Sequence, residues 1–138
     1  MEHVLVINQD DINCLLDHAE SCLPLEAVAL LFGIVTDERI VVRTTELLDN
    51  SAKSRTTFEV NPVEQYNLLV ESEKRGEEMV CVFHSHPAPP KPSSTDMRNM
   101  RLNPVVWLIA SKTTGQWKYK AFLLDEHQDP KEIGIVSP

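Results

Sequence analysis

Two histidines and an aspartate carry the most specific chemistry in this chain. They lie in Phe83-His84-Ser85-His86-Pro87 and in Ser93-Ser94-Thr95-Asp96. Met79 to Phe83 is apolar and rich in β-formers, which predicts a buried strand. Alternate residues of a strand share a face, so His84 and His86 project together while Phe83 and Ser85 project the other way. Four of the nine prolines fall between residues 87 and 92. Proline fixes its own φ and restricts the residue before it, so this connection is stiff and extended. Ser93 to Asp96 then supplies N-cap residues for a short helix. Two imidazoles and a carboxylate carried back toward them are what a catalytic zinc takes from protein, with a fourth tetrahedral position left for water. A lone His-x-His is more often two ordinary histidines than a metal site. The pair followed by Pro, a proline-rich spacer and Ser-x-x-Asp at a helix start is a far narrower pattern.

The elements that must position these residues follow from periodicity. His3 to Ile7 reads as a first strand. Ile12, Leu15, Leu16 and Ala19 make the stripe of a one-sided helix capped by Asp10 or Asp11, with His18 on its solvated side. Leu25 to Val35 is apolar but for Glu26, which predicts a strand covered on both faces. Ile40 to Thr45 returns as its hairpin partner. Glu46 to Thr56 reads as a surface loop and Thr57 to Val60 as a short strand. Asn61 and Pro62 open a second helix whose inward face is Val63, Tyr66, Leu69 and Val70, with Gly76 as its stop. Val105 to Ala110 and Trp117 to Leu124 pair across a turn at Ser111 to Gln116, Asp125 to Lys131 is a loop, and Ile133 to Val136 is a last strand. The order β-α-β-β-β-α-β-α-β-β-β predicts an α/β fold, a mixed twisted β-sheet flanked by helices, in a single domain over residues 1–138.

Composition narrows the function. The 138 residues suffice for a real core, and 42% apolar with 25% charged content is ordinary for a soluble globular protein. No apolar run approaches the roughly 20 residues needed to span a bilayer. The opening residues lack the basic stretch of a signal peptide. A net charge of −8 without a Lys/Arg cluster argues against nucleic acid as a partner. Cys14, Cys22 and Cys81 form no Cys-x-x-Cys and read as buried or half-buried hydrophobes in a reducing cytoplasm. Other hydrolase and zinc signatures are missing: His-Glu-x-x-His, Pro-Cys-x-x-Cys and Gly-x-Ser-x-Gly do not occur.

His84-Ser85-His86-Pro87 through Ser93-x-x-Asp96 resembles the signature of the JAMM (MPN-plus) zinc metalloproteases. Pro24-Leu25-Glu26-Ala27-Val28-Ala29-Leu30-Leu31-Phe32-Gly33 is similar to their N-terminal motif, Pro-x-Glu-Ala-x-Gly-Leu-Leu-x-Gly, with Ala29 where many members have glycine. The order Asn, Ser, Phe-x-x-x-Pro ahead of the second helix is similar as well. The spacer between His86 and Asp96 is nine residues, one fewer than in the common eukaryotic members, which points to a compact prokaryotic branch. The resemblance implies a mixed sheet flanked by helices, distantly like the cytidine deaminases. It implies that His84, His86 and Asp96 hold Zn²⁺, that Glu26 is the catalytic base and that Ser93 helps hold the tetrahedral intermediate. By itself, Glu26 reads as an exposed carboxylate at a strand edge. The implied activity is hydrolysis of the bond between the C-terminal glycine of a ubiquitin-like modifier and a target lysine, in the cytoplasm. Trimming the C-terminus of a sulfur-carrier or other ubiquitin-fold protein would use the same residues. A non-catalytic MPN scaffold is a third reading, though such relatives have typically lost ligands that this chain keeps. The implied partners are a ubiquitin-like or sulfur-carrier protein and its conjugates, with no nucleic acid and no membrane.

Overall fold

The long apolar runs become the central strands of one sheet. The computed structural model describes residues 3–54, 58–87, 89–113 and 115–138. Their elements are β1 (Val4–Val6), α1 (Gln9–Cys22), β2 (Val28–Thr36), β3 (Arg39–Leu48), α2 (Pro62–Lys74), β4 (Glu78–Ser85), α3 (Ser94–Leu102), β5 (Val106–Ser111), β6 (Lys118–Leu124) and β7 (Pro130–Val136). Neighbouring strands run β1-β3-β2-β4-β5-β6-β7. The sheet is mixed, as expected: β4 and β5 are parallel, whereas β2 is antiparallel to both β3 and β4. Short β1 pairs in parallel with β3 on one side and β7 on the other, which closes the strands into a barrel. No helix among the described residues is long and apolar enough to cross a membrane.

Alternation along β2, β4 and β5 sorts their side chains onto two faces. Leu31, Phe83 and Leu108 pack with Ile12, Leu15 and Ala19 of α1. Leu30, Val82, Trp107 and Ile109 pack on the other face with Met100 of α3. Each fully buried Leu, Ile or Phe contributes about 1.5–3 kcal/mol, so the two clusters together hold β4 rigidly from both sides. The register of β2 against β3 shifts between Phe32 and Gly33, with Arg43 the extra residue on β3. A Cβ at Gly33 would lie 1.8 Å from the Val41 carbonyl oxygen, so only glycine fits there.

Several sequence expectations are corrected. The α1 cap is Asn8, whose side chain accepts from the Asp11 N–H at 2.8 Å, two or three residues earlier than the aspartates suggested. Strand β2 begins at Val28, so Glu26 precedes the strand. Strand β3 continues to Leu48, into the expected loop, because Leu47 and Leu48 still have Ala29 and Val28 to pair with. The expected strand over Thr57 to Val60 is not formed at residues 58–60; Thr57 lies outside the described residues. Strand β7 begins at Pro130, earlier than expected, because Leu124 supplies its partner. In α2, Val63, Tyr66 and Leu69 are 69, 67 and 38% exposed, while Leu68 packs on the core and Ser72 is buried. This helix has apolar residues on two sides, and spacing alone does not say which stripe meets the sheet. Cys14 is exposed, while Cys22 is half-buried and Cys81 buried. His18 is half-buried: its Nε2–H lies between the Val28 and Leu48 carbonyls at 3.2 and 3.1 Å, tying α1 to the ends of two strands.

Candidate metal centre and catalytic site

Strand β4 delivers the two histidines. Val82 and His84 share the face that carries Trp107, and the His84 ring sits 4.9 Å from Phe58 and 5.8 Å from Trp107. His86 lies one residue past the strand, but its N–H still donates to the Ala110 carbonyl at 3.0 Å. The pleat therefore persists, and the two imidazole centroids stand 5.2 Å apart on one face.

Helix α3 delivers the aspartate through its cap. Ser93 Oγ accepts from the Asp96 N–H at 3.1 Å, and the Ser93 N–H donates to Asp96 Oδ2 at 3.0 Å. This reciprocal capping box fixes both the helix start and the carboxylate. Asp96 Oδ1 is left 3.1 Å from His84 Nε2, and Oδ2 lies 3.7 Å from His86 Nε2. The Lys91 carbonyl, on the proline loop, stands 3.0 Å from the same His86 nitrogen. One potential ligand atom from each of His84, His86 and Asp96 falls within 4.8 Å of the others, and all three side chains are buried.

The donor set fits a divalent cation. Buried His84 Nε2 has no hydrogen-bond partner, although Asp96 Oδ1 is close. A buried orphan nitrogen beside a carboxylate oxygen that it does not bond is expected when both atoms face a common third point. Two imidazole nitrogens and one carboxylate oxygen leave an open position in a tetrahedral site. Without the ion, burial pulls the His84 imidazole down, but the Asp96 and Glu26 carboxylates outweigh it and push it up to about 9. Burial likewise opposes the Asp96 carboxylate, yet His84, the Ser93 amide and His86 hold it below its ordinary range.

Glu26 reaches the same cluster from the far end of the chain. It is only 4% exposed, and its Oε1 lies 3.3 Å from His84 Nδ1. The reading of Glu26 as an exposed strand-edge carboxylate is thereby corrected. Two clefts meet at it. One of ≈ 180 Å³ is lined by Pro24, Leu25, His86, Pro87 and Trp117, and one of ≈ 640 Å³ by Asn50, Ser51, Lys53, Asn61 and Glu64. Glu26 thus lines both clefts.

The structure thus brings together all five residues singled out in the sequence: His84, His86, Asp96, Glu26 and, through the Asp96 cap, Ser93. Sequence reasoning missed the support around Glu26. Ser85 Oγ accepts from the Ala27 N–H at 2.9 Å, and Asn50 Nδ2 donates to the Glu26 carbonyl at 3.1 Å. Neither partner is near in sequence, so no local pattern announced these bonds. Cys81 plays no chemical part, because burial pushes its thiol far up and a nucleophile needs the thiolate.

Similarity to known proteins agrees with this geometry. Residues 9–122 match the family described as prokaryotic homologs of the JAB domain. A desampylase of Pyrococcus furiosus is 34% identical over 133 residues, covering 96% of this chain and 89% of that protein. A desampylase of Haloferax volcanii is 33% identical over 89 residues, covering 64% and 63%. The solution structure of a protein from Desulfitobacterium hafniense superposes with a TM-score of 0.83 at 30% identity, over 98% of this chain and 92% of that one. With the match running from α1 into β6 and taking in both the Glu26 segment and the His-x-His strand, this chain belongs to the family of prokaryotic JAB-domain (JAMM/MPN-type) proteins.

Proposed function

We propose that this chain is a zinc-dependent isopeptidase, acting as one catalytic domain in the cytoplasm. Its reaction is hydrolysis of the bond between the C-terminal glycine of a ubiquitin-like modifier and a target lysine. One observation carries this reading: the potential ligand atoms of His84, His86 and Asp96 converge within 4.8 Å, with the Glu26 carboxylate on the same His84 ring. The similarity to the two desampylases, proteins named for removing a modifier, supports the substrate class. Three free thiols are in keeping with a reducing compartment.

His84, His86 and Asp96 would hold the ion. Zinc, when bound, supplies Lewis acidity toward a scissile carbonyl and makes water acidic enough to attack near neutral pH. The rest falls to the chain's own groups. Glu26 accepts the proton of the attacking water and returns it to the lysine Nζ as the C–N bond breaks. The water oxygen forms the new bond to the glycine carbonyl carbon, and the amine leaves neutral. The Ser93 hydroxyl oxygen is engaged by the Asp96 amide, while its hydrogen remains a donor for the oxygen that becomes negative at that carbon. His84 Nδ1–H, facing Glu26 Oε1 and the Ser85 carbonyl, orients the ring so that Nε2 can serve as ligand.

The test is direct. A ubiquitin-fold protein joined through its C-terminal glycine to the ε-amine of a fluorescent lysine peptide is incubated with purified protein, and bound metal is measured in parallel. Cleavage at the isopeptide, with one zinc per chain, is the expected result. Glu26→Gln should keep the zinc and lose about 10²–10⁴-fold in kcat, the usual contribution of a positioned base. Full activity in that variant removes Glu26 from the mechanism. Faster cleavage of a peptide-extended modifier than of the isopeptide would reassign the substrate to C-terminal trimming.

A further inference from the structure

Glu26 lies outside regular secondary structure, two residues ahead of β2. A base in such a segment needs another source of rigidity. All four backbone polar groups of Glu26 and Ala27 are paired, and none of the bonds is local. The Glu26 N–H donates to the Ser54 carbonyl at 2.9 Å, and the Glu26 carbonyl accepts from Asn50 Nδ2 at 3.1 Å. The Ala27 N–H donates to Ser85 Oγ at 2.9 Å, and the Ala27 carbonyl accepts from the Ser85 N–H at 3.1 Å. Ser85 stands between the two histidines, so Ala27 is locked to the metal-binding strand. Glu26 is locked on its other side by the turn that follows β3.

Asn50 organises that turn. It is 7% exposed, and its Oδ1 accepts from the Ala52 and Glu59 N–H groups at 3.0 and 3.1 Å. Its Nδ2 also reaches the Ser54 carbonyl at 3.4 Å. One amide therefore ties the Glu26 backbone to three points of the segment that lines the larger cleft. Resting on the isopeptidase reading above, we infer that Asn50 is a positioning residue. Its side-chain amide fixes where the Glu26 carboxylate stands relative to the cluster of His84, His86 and Asp96. Misplacing a catalytic group by about 1 Å costs on the order of 10²-fold in rate, so one such bond matters kinetically without touching substrate.

Asn50→Asp separates this role from a purely structural one. The carboxylate keeps an acceptor for the Ala52 and Glu59 amides but loses the donor to the Glu26 carbonyl. Asn50→Ser is measured beside it as a smaller variant. On the fluorescent isopeptide substrate, kcat should fall about 10–100-fold. KM and zinc affinity should stay close to the wild type, and Tm should fall by only a few degrees, because the turn loses buried hydrogen bonds. In a Glu26→Gln background the Asn50 substitution should add little, because residues that act through one another are not additive. Wild-type kcat in either folded variant overturns the inference. So does a loss of rate fully accounted for by lost zinc or by the fraction unfolded at the assay temperature, or failure of both variants to fold, since each assigns Asn50 to the scaffold alone. Full activity of Glu26→Gln would instead bring down the isopeptidase mechanism itself, which keeps the two failures apart.

Discussion

The two halves of the site are built in opposite ways. The proposed ligands, His84, His86 and Asp96, stand on a strand, its immediate extension and a helix N-terminus, all within one short stretch of chain. Their placement comes from pleat, proline loop and capping box, each a local device. Glu26 stands on no element. It is held by residues 24 to 59 positions away in sequence, through Asn50, Ser54 and Ser85. A ligand trio needs a fixed geometry that short-range rules can supply. The proposed base comes here from another part of the chain, so only tertiary contacts can aim it.

The largest expected effect comes from breaking the local half. His84→Ala or Asp96→Asn removes a ligand and should abolish both zinc binding and cleavage. Zinc retention by either variant would mean that the ion is held elsewhere. Loss of zinc binding in these variants, beside its retention in Glu26→Gln, would draw the line between the two halves.

A smaller effect is expected at Ser93, which caps α3 and is proposed to act in the chemistry as well. Ser93→Ala removes the hydroxyl that accepts from the Asp96 amide and costs about 1 kcal/mol of stability as a lost N-cap. If the same hydroxyl donates to the developing oxyanion, kcat falls about 10²–10³-fold as well. Glycine at this position keeps much of the cap but not the donor. Ser93→Gly should therefore be nearly as stable as the wild type and as slow as Ser93→Ala; a Gly variant with wild-type kcat would confine Ser93 to capping.

The smallest effect is on stability against pH in the metal-free protein. His84 is pushed up to about 9 when folded, from an ordinary value near 6.5 when unfolded. The folded state therefore favours its protonated form. That stabilisation is complete below about pH 6.5 and is lost as pH rises through about 9. Asp96 is shifted down, so its contribution is present above its unfolded value and disappears on acidification. Thermal melts after chelation should show Tm falling from about pH 6 to 9. With zinc bound the trend should reverse or vanish, because the metal takes the deprotonated imidazole. A metal-free Tm that climbs over this range would contradict the arrangement of His84 between two carboxylates.

The legibility of the chain follows the same division. The apolar runs of β2, β4 and β5, the Asn61-Pro62 start of α2 and the Ser93 cap of α3 were all readable, because each depends on neighbours within a few residues. The inward face of α2 was misread, since Val63, Tyr66 and Leu69 form as regular a stripe as the one that meets the sheet. His18 was misread as solvated because its partners, the Val28 and Leu48 carbonyls, belong to two other strands.

By itself the sequence determined that two imidazoles share a strand face and that an aspartate follows at a capped helix start. Backbone geometry over a few residues is enough for that. Tertiary structure alone decided that β1 closes the barrel against β7, that Glu26 is buried against His84, and that Asn50 and Ser85 hold it there. These pairings join segments distant along the chain, and their geometry depends on how the whole core packs rather than on any one segment's preferences.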